Sequence, residues 1–170
     1  MSEILKTIIL GLVEGLTEFL PVSSTAHLLV SENLLGIENS KFLNFFTVFV
    51  QLGAIAAVPF LYFKRLFPSG LSIYYTIIVS FIPAVILGVL LDDLLEALFQ
   101  GYWFIAGSWI LGGFILIRID QWLPAKVDSV EIQSISFFKA FKIGLFQCIA
   151  MIPGVSRSGA TIVGGRFLGL

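Results

Sequence analysis

The chain has 170 residues, of which 58% are hydrophobic and only 12% charged, and its mean hydropathy is +1.01. A water-soluble domain of this composition would lack the polar surface to cover itself, so the expected solvent is a lipid bilayer. The net charge is -1, from 10 Lys and Arg against 11 Asp and Glu, and the basic residues are scattered, which excludes the basic stripe a nucleic-acid partner would require.

Residues 4–35 form an apolar stretch broken near its middle by Pro21-Val22-Ser23-Ser24-Thr25. Lys6, the apolar run after it and the small residues Ser23 to Ala26 have the outline of a secretory signal, but Glu14 and Glu18 interrupt the run and argue against its removal. Three long apolar segments follow, Phe45–Phe63, Tyr74–Leu91 and Trp103–Ile119. At a rise of about 1.5 Å per residue, about 20 residues cross a hydrocarbon core of about 30 Å, so residues 45–119 are predicted to hold three transmembrane helices.

Lys64 and Arg65 lie between the first two spans, Asp92, Asp93 and Glu96 between the second and third, and Arg118, Lys126, Lys139 and Lys142 after the third. The positive-inside rule predicts the Lys64 and Lys126 sides in the cytoplasm and the N-terminus and acidic loop outside, against the weaker pull of Lys6 and Lys41. Residues 137–170 are again apolar and broken, by Pro153-Gly154-Val155-Ser156-Arg157-Ser158-Gly159. Non-helical backbone at membrane depth survives only inside protein or beside a water-filled cavity, so residues 4–35 and 137–170 are predicted as re-entrant helix-loop-helix hairpins. Cys148, the single cysteine, lies in an apolar run and reads as a small buried residue, with no disulfide framework.

Set at an offset of 133, Gly11 to Val30 lies against Gly144 to Val163, pairing Gly11 with Gly144, Glu14 with Gln147, Val22 with Val155 and Ser23 with Ser156. Both copies share a plan: an apolar half-helix carrying Glu or Gln, a proline-containing break, and a hydroxyl-rich start to a second half-helix. Three spans separate them, so hairpins entering from opposite faces are expected. The expected fold is a single all-α integral membrane domain over residues 1–170, an inverted-repeat helical bundle. The duplication also predicts counterparts of residues 38–118 beyond the second hairpin, so the expectation is a fragment or a truncated form completed by a partner.

Glu14 and Glu18 stand four apart and share one helix face. A charge inside a bilayer costs about 2.5–3.5 kcal/mol even on the lenient scale, so the pair implies a polar cavity, a proton or a cation, unless the segment lies in the solvated interface. Beside a phosphate, two carboxylates require a bridging divalent cation, Mg²⁺ or Ca²⁺; a glutamate could alternatively act as a base. Arg157, the only cation expected near the membrane centre, sits between Ser156 and Ser158 at a predicted half-helix N-terminus, where its planar fork suits a phosphate; the alternative is snorkelling to the interface. Ser23, Ser24, Thr25 and Thr161 read either as contacts to the anion or as helix caps and back-bonded hydroxyls. His27, three residues past Ser24, is a candidate nucleophile, proton donor or base, against the plainer reading of a satisfied polar side chain.

EGLTEFLPVSSTAH (Glu14 to His27) and PGVSRSGAT (Pro153 to Thr161) resemble the two signature motifs of the undecaprenyl-diphosphatase family, the bacitracin-resistance phosphatases, and FVQLGAIAAV (Phe49 to Val58) extends the likeness. The resemblance implies a C-terminally truncated member of a multi-pass family of the bacterial cell membrane. It implies hydrolysis of undecaprenyl diphosphate to undecaprenyl phosphate, recycling the envelope lipid carrier, dependent on a divalent cation; the head group is expected to enter from the extracytoplasmic side. Carried onto this sequence, it implies that Glu14 and Glu18 are the catalytic acidic pair and metal ligands. Ser24 and His27 become candidates for nucleophile or proton transfer, and Ser156 and Arg157 the diphosphate binders; neighbouring Ser23, Thr25, Ser158 and Thr161 are expected substrate contacts from their own positions at the two breaks. A homodimer is plausible from the family, and Gln51 falls on a family position without an assigned chemistry. The competing readings are a lipid flippase or small-anion transporter built on the same repeats, and an inactive interaction partner.

Overall fold

A computed structural model gives the fold and describes residues 1–38, 40–67, 70–99, 101–123 and 135–170; Lys126, assigned above to the cytoplasmic side, and the Arg65 side chain lie outside the described residues. The described residues form nine helices and no strand: α1 (Glu3–Thr17), α2 (Ser24–Leu34), α3 (Lys41–Leu61), α4 (Phe63–Leu66), α5 (Leu71–Leu90), α6 (Asp92–Phe99), α7 (Tyr102–Trp122), α8 (Phe137–Ile149) and α9 (Arg157–Phe167).

Helices α3, α5 and α7 are long and apolar enough to cross a membrane and correspond to the three predicted spans. Their ends differ from the hydropathy reading where local chemistry overrides it. Ser40 caps α3 by accepting a hydrogen bond from the Leu43 amide at 3.1 Å, which starts the helix at Lys41 rather than Phe45. The acidic segment between α5 and α7, read as a loop, is the short helix α6 with Asp92 and Asp93 in its first turn, where negative charge complements the helix dipole.

Few side chains are buried within the chain. Leu10, Leu28 and Leu43 join α1, α2 and α3 in a small apolar cluster that also gathers Val13, Phe46 and Val50. On the spans, Trp103 is 91% and Phe60 84% exposed to whatever surrounds the chain. Apolar surface on this scale is sustainable in lipid or against other membrane helices, not in water, and the chain is a membrane-embedded helical protein.

Helices α1 and α2 pack on each other, as do α8 and α9, and α5 lies along α8. Close approach of α5 depends on Gly144, where a Cβ would overlap the Ser80 carbonyl oxygen and stand 3.0 Å from the Pro83 ring. Gly164 admits the Phe146 ring in the same way, between α8 and α9. Arg166, at the far end of α9, bonds Asp120 and the Leu123 carbonyl and so ties α9 to the end of α7.

Candidate functional site

Two breaks in the helices build the site. Pro21 has no amide hydrogen and restricts Leu20, so α1 cannot run through it and stops at Thr17; the chain turns over residues 18–23 before α2 begins at Ser24. The second break spans residues 150–156, and α9 starts at Arg157. Both breaks therefore lie about three residues earlier than the polar clusters suggest, and Ser24, Thr25, Arg157, Ser158 and Gly159 belong to first helical turns rather than to loops.

The breaks touch each other. Ser158 Oγ donates to the Leu20 carbonyl at 2.9 Å, and a Cβ built on Gly159 stands 3.4 Å from Pro21 Cβ. The second break is held in turn by α7, whose Ser108 hydroxyl donates to the Pro153 carbonyl. Gly154 has φ of +92°, and a Cβ there would overlap Ser108 Oγ and come within 2.5 Å of the Ile105 carbonyl oxygen. Only glycine fits that turn.

This contact brings the predicted charged residues together. Ser24 Oγ donates to Glu18 Oε2 at 2.6 Å, a short bond of the charge-assisted kind. The other carboxylate oxygen, Oε1, faces an Arg157 Nη at 3.9 Å. That separation is long for a bidentate pair, and the guanidinium is 54% exposed, leaving donors for an anion. Glu14, one turn before Glu18, is 0% exposed; Glu18 and Ser24 are its neighbours, yet among the described residues neither of its oxygens has a hydrogen-bond partner. A buried carboxylate without partners costs several kcal/mol unless it takes a proton or a cation. Among the described residues no group of three or more His, Cys, Asp or Glu side chains could hold a metal ion. The orphaned Glu14 oxygens beside Glu18 nevertheless fit the two-carboxylate arrangement that leaves the remaining ligand positions to phosphate oxygens and water.

Ser23 carries the strain of the first break, with φ of 63° and ψ of 90°, a conformation costly for any residue but glycine. Its carbonyl accepts from the His27 amide at 3.2 Å and bonds His27 Nδ1 at 2.9 Å. A carbonyl only accepts, so Nδ1 carries a hydrogen, and the tautomer compatible with this bond has its lone pair on Nε2. The Ser23 side chain does not cap α2, whereas Ser156 caps α9 by accepting from the Gly159 amide at 3.2 Å. The first amides of α2 thus lack a side-chain cap beside the Glu18 and Arg157 cluster, as suits an anion site. Ser158 is engaged with Leu20 and, at 3.0 Å, with Ser156; Thr161 bonds back to the Arg157 and Ser158 carbonyls. For Thr161 the back-bonded alternative is the geometry observed. Thr25 lines a cavity of about 630 Å³ shared with Arg157, Gln51, Gln147, Thr47 and Glu32, which gives Gln51 a place in the site's polar surroundings.

The model of the family described as bacitracin resistance protein BacA matches residues 7–170. The chain belongs to the BacA family. Curated relatives named undecaprenyl-diphosphatase include proteins of Flavobacterium johnsoniae, 50% identical over 95% of this chain and 60% of the relative, and of Sulfurihydrogenibium sp., 48% identical over 98% and 65%. That of Bdellovibrio bacteriovorus is 45% identical over 98% of this chain and 63% of its own length. The chain thus spans slightly under two thirds of the length of these BacA-family relatives.

Two functional neighbours escape the sequence reading. Trp109 of α7 donates Nε1 to the Val22 carbonyl at 2.8 Å and sets its ring edge-on to His27, with centroids 4.8 Å apart. Its signal was an indole N–H inside an apolar helix, which needs an acceptor when buried. Trp109→Phe is expected to leave the Val22 carbonyl unpaired and weaken the first break by about 1–3 kcal/mol. Amide hydrogen exchange through residues 18–24 should accelerate accordingly, and unchanged protection would count against this bond. The second neighbour is Glu32, 9% exposed and accepting from Thr47 Oγ1 at 3.1 Å.

Proposed function

We propose that this chain carries the phosphoanhydride-cleaving site of a polyprenyl-diphosphate phosphatase, taking undecaprenyl diphosphate and releasing undecaprenyl phosphate and inorganic phosphate. The observation that carries the reading is the Ser24 hydroxyl donating to Glu18 at 2.6 Å while the same carboxylate faces Arg157. A transporter has no use for a serine held against a base, and this favours hydrolysis over the flippase reading.

Ser24 Oγ attacks the terminal phosphorus, its proton passes to Glu18 Oε2, and the bond from phosphorus to the bridging oxygen breaks. The lipid monophosphate leaves with the bonding electrons. Arg157 and the first amides of α2 hold the phosphate oxygens and stabilise the charge that builds on them. Water then attacks the phosphoserine; His27 Nε2, the free side of the ring, takes its proton, and Glu18 returns a proton to Ser24. Glu14 and Glu18 would hold a divalent cation, Mg²⁺ or Ca²⁺. The chemistry supplied by such an ion is charge neutralisation between the carboxylates and the diphosphate.

In this reading the units α1–α2 and α8–α9 are re-entrant hairpins related by inverted duplication, in a bacterial inner membrane, with the site open to the extracytoplasmic side. The repeat is supported by Ser23 and Ser156, which pair at the offset of 133 and stand at the N-caps of two helices of 11 residues each. The test is phosphate release by the purified chain in bilayer nanodiscs. Arg157→Ala should lower the rate by about a hundredfold or more. Lipid movement without phosphate release, or full activity in the variant, would overturn the assignment.

A further inference from the structure

Among the described residues, Glu32 is the buried carboxylate that the proposed hydrolysis leaves unused. Two features of its position are unfavourable. It lies in the last turn of α2, where the helix dipole is negative and a carboxylate is disfavoured. It is also 9% exposed, and burial of a charge is not offset by one hydrogen bond from a neutral hydroxyl. That bond, from Thr47 Oγ1, takes Oε1; Oε2 has no partner among the described residues, and no Lys or Arg among them pairs with the group.

The surroundings of the carboxylate are rich in neutral oxygen. Asn44 stands three residues before Thr47 on α3 and Gln51 four after it, so the three share one helix face. Beyond Lys41 they are the polar side chains of α3, and all three line the cavity of about 630 Å³ together with Glu32. A helix long and apolar enough to cross a membrane thus turns its whole polar complement toward the space beside one carboxylate. Asn44 is exposed while Thr47 and Gln51 are half-buried, so this face opens at the Asn44 end.

We propose that Glu32, with the side-chain oxygens of Asn44, Thr47 and Gln51, binds a monovalent alkali cation, Na⁺, between α2 and α3. A donor set of carboxylate, amide and hydroxyl oxygens selects a hard ion. Charge selects a monovalent one: a single carboxylate neutralises Na⁺, whereas a divalent ion would leave net positive charge in a cavity that Arg157 already lines. The divalent ion proposed at Glu14 and Glu18 meets two carboxylates, so the two sites differ in charge as well as in place. The negative end of α2, which disfavours the bare carboxylate, favours the ion. The inference stands apart from the hydrolase reading, since ion binding here requires no reaction.

The test is a sodium titration of the purified chain in nanodiscs at fixed ionic strength, N-methylglucamine replacing Na⁺, read by thermal unfolding and by retention of radioactive sodium. Sodium should raise the unfolding temperature by several degrees. Glu32→Gln should abolish both the rise and the retention, and Glu18→Gln should leave them. Thr47→Val keeps the carboxylate and should weaken the sodium dependence about tenfold, so the result does not hang on the folding of one variant. A rise that N-methylglucamine gives equally, or that survives in Glu32→Gln, would overturn the site. So would a protonated-acid carbonyl band in the infrared that Glu32→Gln removes and saturating Na⁺ does not, because a proton would then neutralise the group. A larger rise with Ca²⁺ that Glu32→Gln abolishes would contradict the assignment of a monovalent ion.

Discussion

Glu18→Gln is expected to lower phosphate release by about 10³-fold, with thermal stability little changed. The amide keeps the size of the side chain and can still accept from Ser24 Oγ, now bonded at 2.6 Å, but it cannot take the proton or carry the charge that faces Arg157. Ser24→Ala should fall as far, and the double variant no further, because the two groups act in one step and their losses do not add. A double variant that loses the product of the two single effects would show that serine and carboxylate act independently, and the proposed nucleophile would be wrong.

Gly154→Val is expected to be the most damaging single change to the architecture. It adds a β-branched side chain where φ is +92° and directs its Cβ into Ser108 Oγ and the Ile105 carbonyl. Backbone strain of about 1–3 kcal/mol adds to overpacking of about 1–3 kcal/mol. Thermal unfolding in nanodiscs should shift downward by many degrees, and hydrogen exchange should rise first through residues 150–159, where α7 no longer holds the second break. Activity should fall with it, since Arg157 is set by that turn. A variant with parent-like unfolding and exchange would show that the break is not anchored on α7.

The helical spans were legible in the sequence because hydropathy over about 20 residues reports membrane crossing directly. Their ends were not, since caps such as Ser40 and the first-turn acids of α6 act through single hydrogen bonds and the helix dipole that an average over apolar residues does not register. The breaks were visible through Pro21 and Pro153, yet read a few residues late, because a proline ends the helix before itself rather than at itself. In the site, Glu14, Glu18 and Arg157 stood out because charges are costly in an apolar run. Trp109 and Glu32 did not: the acceptor of one lies 87 residues away and the donor to the other 15 residues away, so only packing of separate helices reveals what they satisfy.

Disulfide trapping between the two breaks measures their meeting most directly. In a Cys148→Ser background, Pro21→Cys and Gly159→Cys place their Cβ atoms about 3.4 Å apart, close to the ~3.8 Å mean of disulfides. Mild oxidation in native membranes should give near-complete intramolecular bonding between the segments around residues 21 and 159, read by mass spectrometry of the cleaved chain. If these cysteines bond no faster than a control pair on outward faces, such as Phe60→Cys with Trp103→Cys, the two breaks do not form one site, and Glu18 and Arg157 cannot act on one diphosphate.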